Sequence, residues 1–436
     1  MSEIVRLPKE LQYNKYYKLP KSVQCISLAT NALNNSVGPG EKLEFDFVSR
    51  GKAVANTLWM EYELVPTGQT VAGALIRGIP FYAPFSQSRI LIGSQGFDDQ
   101  QSYNAICSAL VDLKMTADQK YAHARNLGLN AGSSLFYGGL TSTTGVALDL
   151  AGPLPNMISN ASNQIPLAWM PQVRLQLTLA QVSEIFQTLA ATSLPTNYIV
   201  RNAVLHYDII EYGDDYDREI LATMLDENGM LNIKTMSYAT SGQVISVGSS
   251  GNLEYVFNTR FGSIKSLFAF FPPGGNLSAF QQFESFDPTT PVATGIGSGE
   301  ISISVAGRKV NERGLSTSVN RNAGIPELVL ALNGSQHILS AMFYVNFEGW
   351  VLGNGSTTTN TVNYPVQYGS FIYGCNCEKL SSNEVLLSGI STESSPISVN
   401  LNFSSATTVA QSVRLTIMYD AIIQINPLTK TCQVIQ

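Results

Sequence analysis

The chain carries one strand phrase written twice. Val204–Glu211 reads VLHYDIIE and Thr416–Ile423 reads TIMYDAII, each with a Tyr-Asp pair (Tyr207-Asp208, Tyr419-Asp420) inside a β-rich apolar run. The two tyrosines stand 212 residues apart. Ile90-x-Ile92-x-x-x-Gly96 returns as Ile301-x-Ile303-x-x-x-Gly307, an offset of 211. Leu175-x-Leu177-x-Leu179 against Val399-x-Leu401-x-Phe403 gives 224, so loop lengths differ between the copies. Self-similarity at a long period constrains architecture more than any local motif, because each copy is a unit that folds the same way. The alternative is two unrelated β-domains of similar size. In the duplicated reading each phrase is a strand whose end, at Asp208 or Asp420, closes a domain. The acidic turn Gly213-Asp214-Asp215 then opens the seam, from Gly213 to about Glu227.

Length agrees with two units: 436 residues exceed one ordinary core, and two domains of about 200 residues are the natural division. The secondary-structure pattern is β. Glu41–Val48 (EKLEFDFV) alternates, with Leu43, Phe45 and Phe47 on one face, as a half-buried strand does. Leu58–Val65, Ser88–Gly93, Gln172–Leu179 and Tyr198–Glu211 read as further strands of the first half. Gly96 turns the chain into an amphipathic helix, Gln101–Leu113, with Tyr103, Ile106, Leu110 and Leu113 at helical spacing. Residues 114–165 read as a Gly-, Ser- and Asn-rich insertion, and Gln181–Ala190 as a short helical stretch. Tyr216–Leu225 reads as a helix leading into the second half. There Gln243–Val247, Leu253–Asn258, Ser263–Phe271, Gly299–Val305, Met342–Val351, Phe371–Gly374, Ile397–Phe403 and Val413–Ile425 are strand-like. Ile325–Leu332 is a short helix or apolar strand, and Gly353–Asn363 is a loop. Many short strands with turn-rich loops indicate all-β sandwiches.

Charge is scarce. Only 13% of residues are charged, about half the usual ~25%. Such a surface suits a protein largely covered by neighbours, since interface cores are depleted of charge. The net charge of −6 argues against nucleic acid as a main partner, because phosphate binding needs a basic field. No apolar run reaches the 18 residues of a spanning helix, and the N-terminus lacks the apolar core of a signal peptide. The five scattered cysteines (Cys25, Cys107, Cys375, Cys377, Cys432) read as reduced residues made in a cytosol or nucleus. Residues 1–23 form a basic, aromatic arm with Arg6, Lys9, Lys15, Lys18 and Lys21, which docks on neighbouring subunits or an acidic membrane, or else is a mobile tail.

No catalytic, cofactor-binding or metal residue is nominated. His123, His206 and His337 are far apart, and no HExxH, GxSxG or Walker A motif occurs. Gly295-x-Gly297-x-Gly299 precedes a strand and lacks the strand-to-helix context of a phosphate loop. Cys375-x-Cys377 puts two sulfurs on one strand face, with only Cys432 as a remote third ligand, so buried thiols are the better reading. Asp214, Asp215, Asp217 and Glu219 match no EF-hand spacing and read as a solvated helix N-terminus. The chain is expected not to be an enzyme.

Several stretches resemble the double jelly-roll major capsid proteins of the adenovirus, tailless phage, virophage and polinton-like virus lineage. They are SRILIGSQGFDDQQSYNAICSALVDL (Ser88–Leu113), IPLAWMPQVRLQLTLA (Ile165–Ala180), YIVRNAVLHYDIIEY (Tyr198–Tyr212) and FIYGCNCEKLSSNEVLLSGIS (Phe371–Ser391) followed by ISVNLNF and MYDAIIQIN. The resemblance is one of pattern and order over most of the chain after the arm. It implies an all-β protein of two consecutive eight-stranded jelly-roll barrels with short flanking helices. Its parts would be an N-terminal arm (1–23), a first jelly roll (24–214), a linker helix (215–227) and a second jelly roll (228–436). It further implies homotrimeric, pseudo-hexagonal capsomers tiling an icosahedral virion. Expected partners are neighbouring capsomers, minor capsid and penton proteins, and an inner membrane reached by the arm. Assembly is expected in host cytoplasm or nucleus, without secretion. Trp59, Trp169, Phe81, Tyr82 and Trp350 are candidate inter-subunit anchors, weighed against packing inside a barrel. A minor capsid or spike protein and a non-viral carbohydrate-binding double β-sandwich are the alternatives.

Overall fold

The computed structural model describes residues 24–68, 74–76, 79–114, 122–123, 125–128, 138–139, 147–188, 195–213, 217, 225–270, 299–310, 315–316, 372–377, 389–403, 406 and 411–436. Among the described residues, eight main strands carry the barrel of the first half, beside shorter ones: β1 (Gln24–Asn31), β2 (Lys42–Asp46), β3 (Trp59–Thr67), β4 (Phe85–Ile92), β5 (Gln95–Gln101), β6 (Leu148–Pro153), β7 (Val173–Leu179) and β8 (Asn197–Glu211). They form two antiparallel sheets, ordered β1-β8-β3-β6 and β2-β7-β4-β5. The second half repeats the plan with β9 (Leu231–Ile245), β10 (Gly251–Phe257), β11 (Ile264–Phe270), β12 (Gly299–Val305), β13 (Arg308–Lys309), β14 (Ile372–Asn376), β15 (Ile397–Phe403) and β16 (Gln411–Asn426). Its sheets run β9-β16-β11-β14 and β10-β15-β12-β13, so adding eight to each label of the first barrel gives the second. Two facing sheets with four-strand paths in this order are a jelly roll, and the chain is a double jelly roll.

Alternation builds both cores. Leu43, Phe45 and Phe47 point inward from the β2 segment, and Leu175, Leu177 and Leu179 from β7. Val399, Leu401 and Phe403 do the same from β15. Each such side chain contributes roughly 1.5–3 kcal/mol by leaving water. Shifting any of these strands by one residue would turn its apolar set outward, so register is strongly specified.

The same period of two leaves a slip of two residues invisible in sequence. Ile90 lies opposite Leu175, and Ile301 lies opposite Leu401, so offsets of 211 and 224 do not hold together. The hairpin turns decide between them. Ile92 pairs with Gln95 around Gly93, and Val305 pairs with Arg308 around Gly307. Both glycines have positive φ (62° and 72°), which glycine alone adopts cheaply. Matching the turns gives 213 for β4 and β12 and 224 for β7 and β15. Gly96 therefore lies inside β5, one dipeptide beyond the position matching Gly307.

Four elements differ from the sequence expectation. β5 (QGFDDQQ) stands where the chain was expected to turn straight into the helix Tyr103–Lys114 (α1). β6 lies inside the stretch taken as an insertion. β9 begins at Leu231, far ahead of Gln243. The stretch Gln181–Ala190 divides into a helical turn, α2 (Val182–Ile185), and a short strand, Phe186–Thr188. A further strand, β17 (Thr431–Ile435), pairs with the end of β16. Asp208 and Asp420 sit within β8 and β16, not at their ends: backbone pairing continues to Glu211 and to Asn426. The arm 1–23, the linker helix apart from 217 and 225–227, and the elements expected at 325–332, 342–351 and 353–363 lie outside the described residues; 225–227, expected at the end of the linker helix, are not helical.

Candidate assembly surfaces: the seam and the open strand edge

Polar groups line part of the seam between the two barrels, whose buried apolar side chains otherwise run together in one cluster. The loop after β6 is ordered by Asn156, whose Oδ1 accepts the Ile158 and Ser159 amides at 2.9 and 3.0 Å. That loop lies along β9. The Ser162 amide donates to the Lys234 carbonyl at 2.8 Å, and Asn160 Nδ2 to the Met236 carbonyl at 3.3 Å. In return, Thr235 Oγ1 donates to the Met157 carbonyl. Beside them, Asp98 of β5 accepts from Ser237 Oγ of β9, from the Met157 amide at 3.0 Å and from Gln100 Nε2 at 3.0 Å. Gln100 Nε2 also reaches Ser237 Oγ at 3.2 Å. Asp98, Gln100, Thr235 and Ser237 are all buried.

Burial pushes the Asp98 carboxyl up to about 6, against the opposing pull of its three hydrogen-bond donors. The phenol of Tyr419, in β16, is raised by burial and next by the negative charge of Asp98. Farther along β16, burial pulls the Arg414 guanidinium down to about 10, opposed by the charge of Glu184 from the first half.

The expected acidic seam has another role. Asp214, Asp215 and Glu219 lie outside the described residues. Asp217 Oδ1 binds Lys52 Nζ at 2.7 Å. Lys52 is buried, with its ammonium 4.9 Å from the Trp169 ring centroid and 4.4 Å from that of Tyr212. Tyr212 Oη donates to Gln164 Oε1 at 2.8 Å. This set fastens the chain leaving β8 onto the first barrel, and it uses Trp169 inside the chain.

Of the other candidate anchors, Phe81 and Tyr82 are completely buried and form core, with Tyr82 Oη donating to the Pro153 carbonyl at 2.8 Å. They are not available to another subunit, because the region between Ile79 and Phe85 folds inward under β3. Trp59 is half-buried, its ring 6.1 Å from that of His123. His206 Nε2 lies 3.1 Å from Glu61 Oε1 on a solvent-facing part of β8. Trp350 and His337 lie outside the described residues. Cys375 and Cys377 are buried, and burial pushes the Cys432 thiol up to about 12. Among the described residues no three metal-ligating side chains gather. A cavity of about 370 Å³ beside α2 is lined by amides, hydroxyls and the Glu184 carboxylate, without histidine or cysteine.

Sequence reasoning did not find Asp98, Gln100, Thr235 or Ser237. The available signal was an acidic, amide-rich segment (Phe97–Gln101) directly after a strong strand, facing a Thr/Ser-alternating stretch at 235–241.

The double jelly roll is also the fold of known proteins. The chain is similar to the PBCV-1 virus capsid protein (TM-score 0.59, 12% identity), covering 97% of this chain and 98% of that one. It is similar to the Faustovirus major capsid protein (TM-score 0.57, 10% identity, 95% and 92% covered). It is similar to the mavirus major capsid protein (TM-score 0.51, 8% identity, 100% and 95% covered). No protein-family model matches the chain, and no curated protein matches it by sequence. These structural neighbours are viral major capsid proteins, and at such low identity the likeness is one of fold.

Proposed function

We propose that this protein is a structural major capsid protein, located in the virion and without catalytic activity. Its building block is a homotrimer in which three copies of two barrels stand as six around an axis. Such capsomers tile an icosahedral shell, with minor capsid and penton proteins as further partners and the arm 1–23 available to neighbours or an inner membrane. The units are the jelly rolls 24–214 and 228–436, joined by 215–227. The observation that carries the reading is the complete repetition of one barrel topology in one chain. A ring built from such chains has near-equivalent neighbours at every barrel, and closed symmetric contacts are the ordinary route to a finite oligomer. Scarce charge, 13% of residues, fits a surface covered by copies of itself.

Native mass spectrometry of the purified full chain tests this. Three chains of 47.2 kDa are expected. A single chain at micromolar concentration would overturn the trimer.

A further inference from the structure

The seam inside the chain shows how one barrel closes the sheet edge of another. β9 is the edge strand of its sheet, paired on one side with β16. On its other side the carbonyls of Lys234 and Met236 are taken by Ser162 and Asn160 of the first barrel. The side chains of Thr235 and Ser237 are sealed beneath, at 1% and 0% exposure.

β1 is the matching edge strand of the first barrel. Through the Tyr207–Tyr419 match, Leu28 opposite Tyr207 corresponds to Ser237 opposite Tyr419. Ile26 then corresponds to Thr235, Cys25 to Lys234 and Ser27 to Met236. The Ala32 amide bonds to the Ala203 carbonyl across the sheet at 3.0 Å. Antiparallel pairing alternates, so Cys25, Ser27, Ala29 and Asn31 direct their backbone amides and carbonyls away from β8. These are the positions at which β9 is capped. Among the described residues nothing pairs with this edge of β1. Ile26 and Leu28 are half-buried where their counterparts are sealed, and Leu33 just beyond is 52% exposed. The strand, QCISLATN, carries no charge and no proline, the devices that protect an edge meant to stay open.

We infer that the outer edge of β1 is the docking surface for the second barrel of another copy of this chain. That barrel caps the outward backbone groups of Cys25, Ser27 and Ala29 as the first barrel caps β9 within the chain. The contact is head to tail, and with the rotation closing after three copies, as the trimer reading has it, first and second barrels alternate around the ring. This inference rests on the trimer reading and names the surface that makes the trimer.

The test uses Ala29→Pro and Ala29→Lys in the full chain. The Ala29 amide points away from β8, so proline there leaves the internal ladder intact, and proline and lysine are the edge-blocking residues of natural sheets. Both variants are expected to keep the far-UV spectrum and melting temperature of an isolated folded chain and to lose the three-chain mass. Cys25, exposed in the single chain, is expected to react with a thiol reagent about tenfold more slowly in the wild-type trimer. A trimer that persists in both variants, or one in which Cys25 reacts as fast as in Ala29→Lys, would overturn the docking surface while leaving the trimer reading intact. So would a single chain in which removal of residues 1–23 unmasks Cys25, since the chain's own arm would then be the occupant. If Ala29→Pro fails to fold, Ala29→Lys and the Cys25 rate still decide. A wild-type chain that never trimerises removes the trimer reading itself.

Discussion

The two Tyr-Asp pairs share a sequence word and differ in surroundings. In the first barrel Tyr207 packs on Phe47 with ring centroids 4.9 Å apart and accepts the Val48 amide at 2.9 Å. Its neighbour Asp208 faces outward and accepts from Ser27 Oγ at 2.6 Å. In the second barrel Tyr419 stacks on Phe261 at 4.2 Å, and Asp420 is 1% exposed. Asp420 accepts from Ser263 Oγ at 3.0 Å and has Lys234 and Lys265 Nζ at 3.7 and 3.9 Å. The phrase persists because a tyrosine on the inner face and a carboxylate on the outer face fit this strand of a jelly roll. What changes is the outer face itself: in the second barrel it is sealed from water here, and the buried Asp420 lies beside the Lys234 and Lys265 ammoniums.

Cutting each acid back is the strongest way to break that contrast. Asp420→Ala removes a buried carboxylate that lies beside two largely buried lysine ammoniums and is expected to cost roughly 3–5 kcal/mol. Asp208→Ala loses one solvent-accessible hydrogen bond, about 1 kcal/mol or less. Urea denaturation of both variants checks the ranking, and equal losses would make the two sites equivalent after all.

Acid sharpens the comparison next. Asp98 titrates near 6 in the fold, against 3.8 for an ordinary aspartate. Its folded value is raised, so the stability it contributes is fully present below about 3.8 and is lost as pH rises through about 6. Wild type is expected to gain up to roughly 3 kcal/mol relative to Asp98→Asn between pH 7 and pH 4. Parallel pH dependences for the two proteins would show that the seam does not hold this proton.

A smaller contrast lies in the matching edge strands. Ser237→Ala takes a donor from buried Asp98 and is expected to cost ~1–3 kcal/mol, whereas Ser27→Ala costs about 0.5–1 kcal/mol. Thermal melts of the two variants measure the difference. The smallest effect tests where the barrels agree. Gly93→Ala and Gly307→Ala each force a side chain into a positive-φ hairpin turn, and each is expected to cost about 1 kcal/mol. Thermal melts check both, and a variant that loses nothing would show that its turn does not depend on the glycine.

The legible parts of the chain were those whose buried face is apolar. EKLEFDFV, QVRLQLTL and ISVNLNF announce strands because water, on one side only, sorts their residues by period two. β5 and most of β9 do not, since their buried faces meet each other and carry Asp98, Gln100, Thr235 and Ser237. A polar interface inside one chain erases the alternation that a core would have written. Register within a barrel was legible only to a multiple of two residues, until the glycine turns fixed it. The linkage of Asp217 to Lys52 joins positions 165 residues apart, which no local spacing could disclose.

The most direct measurement is an electron-microscopy average of the purified full chain viewed along its symmetry axis. The expected image is a closed ring of six barrel-sized densities, first and second barrels alternating, with β1 of each copy against the second barrel of the next. Isolated two-lobed particles, or a ring in which like barrels touch, would contradict the account.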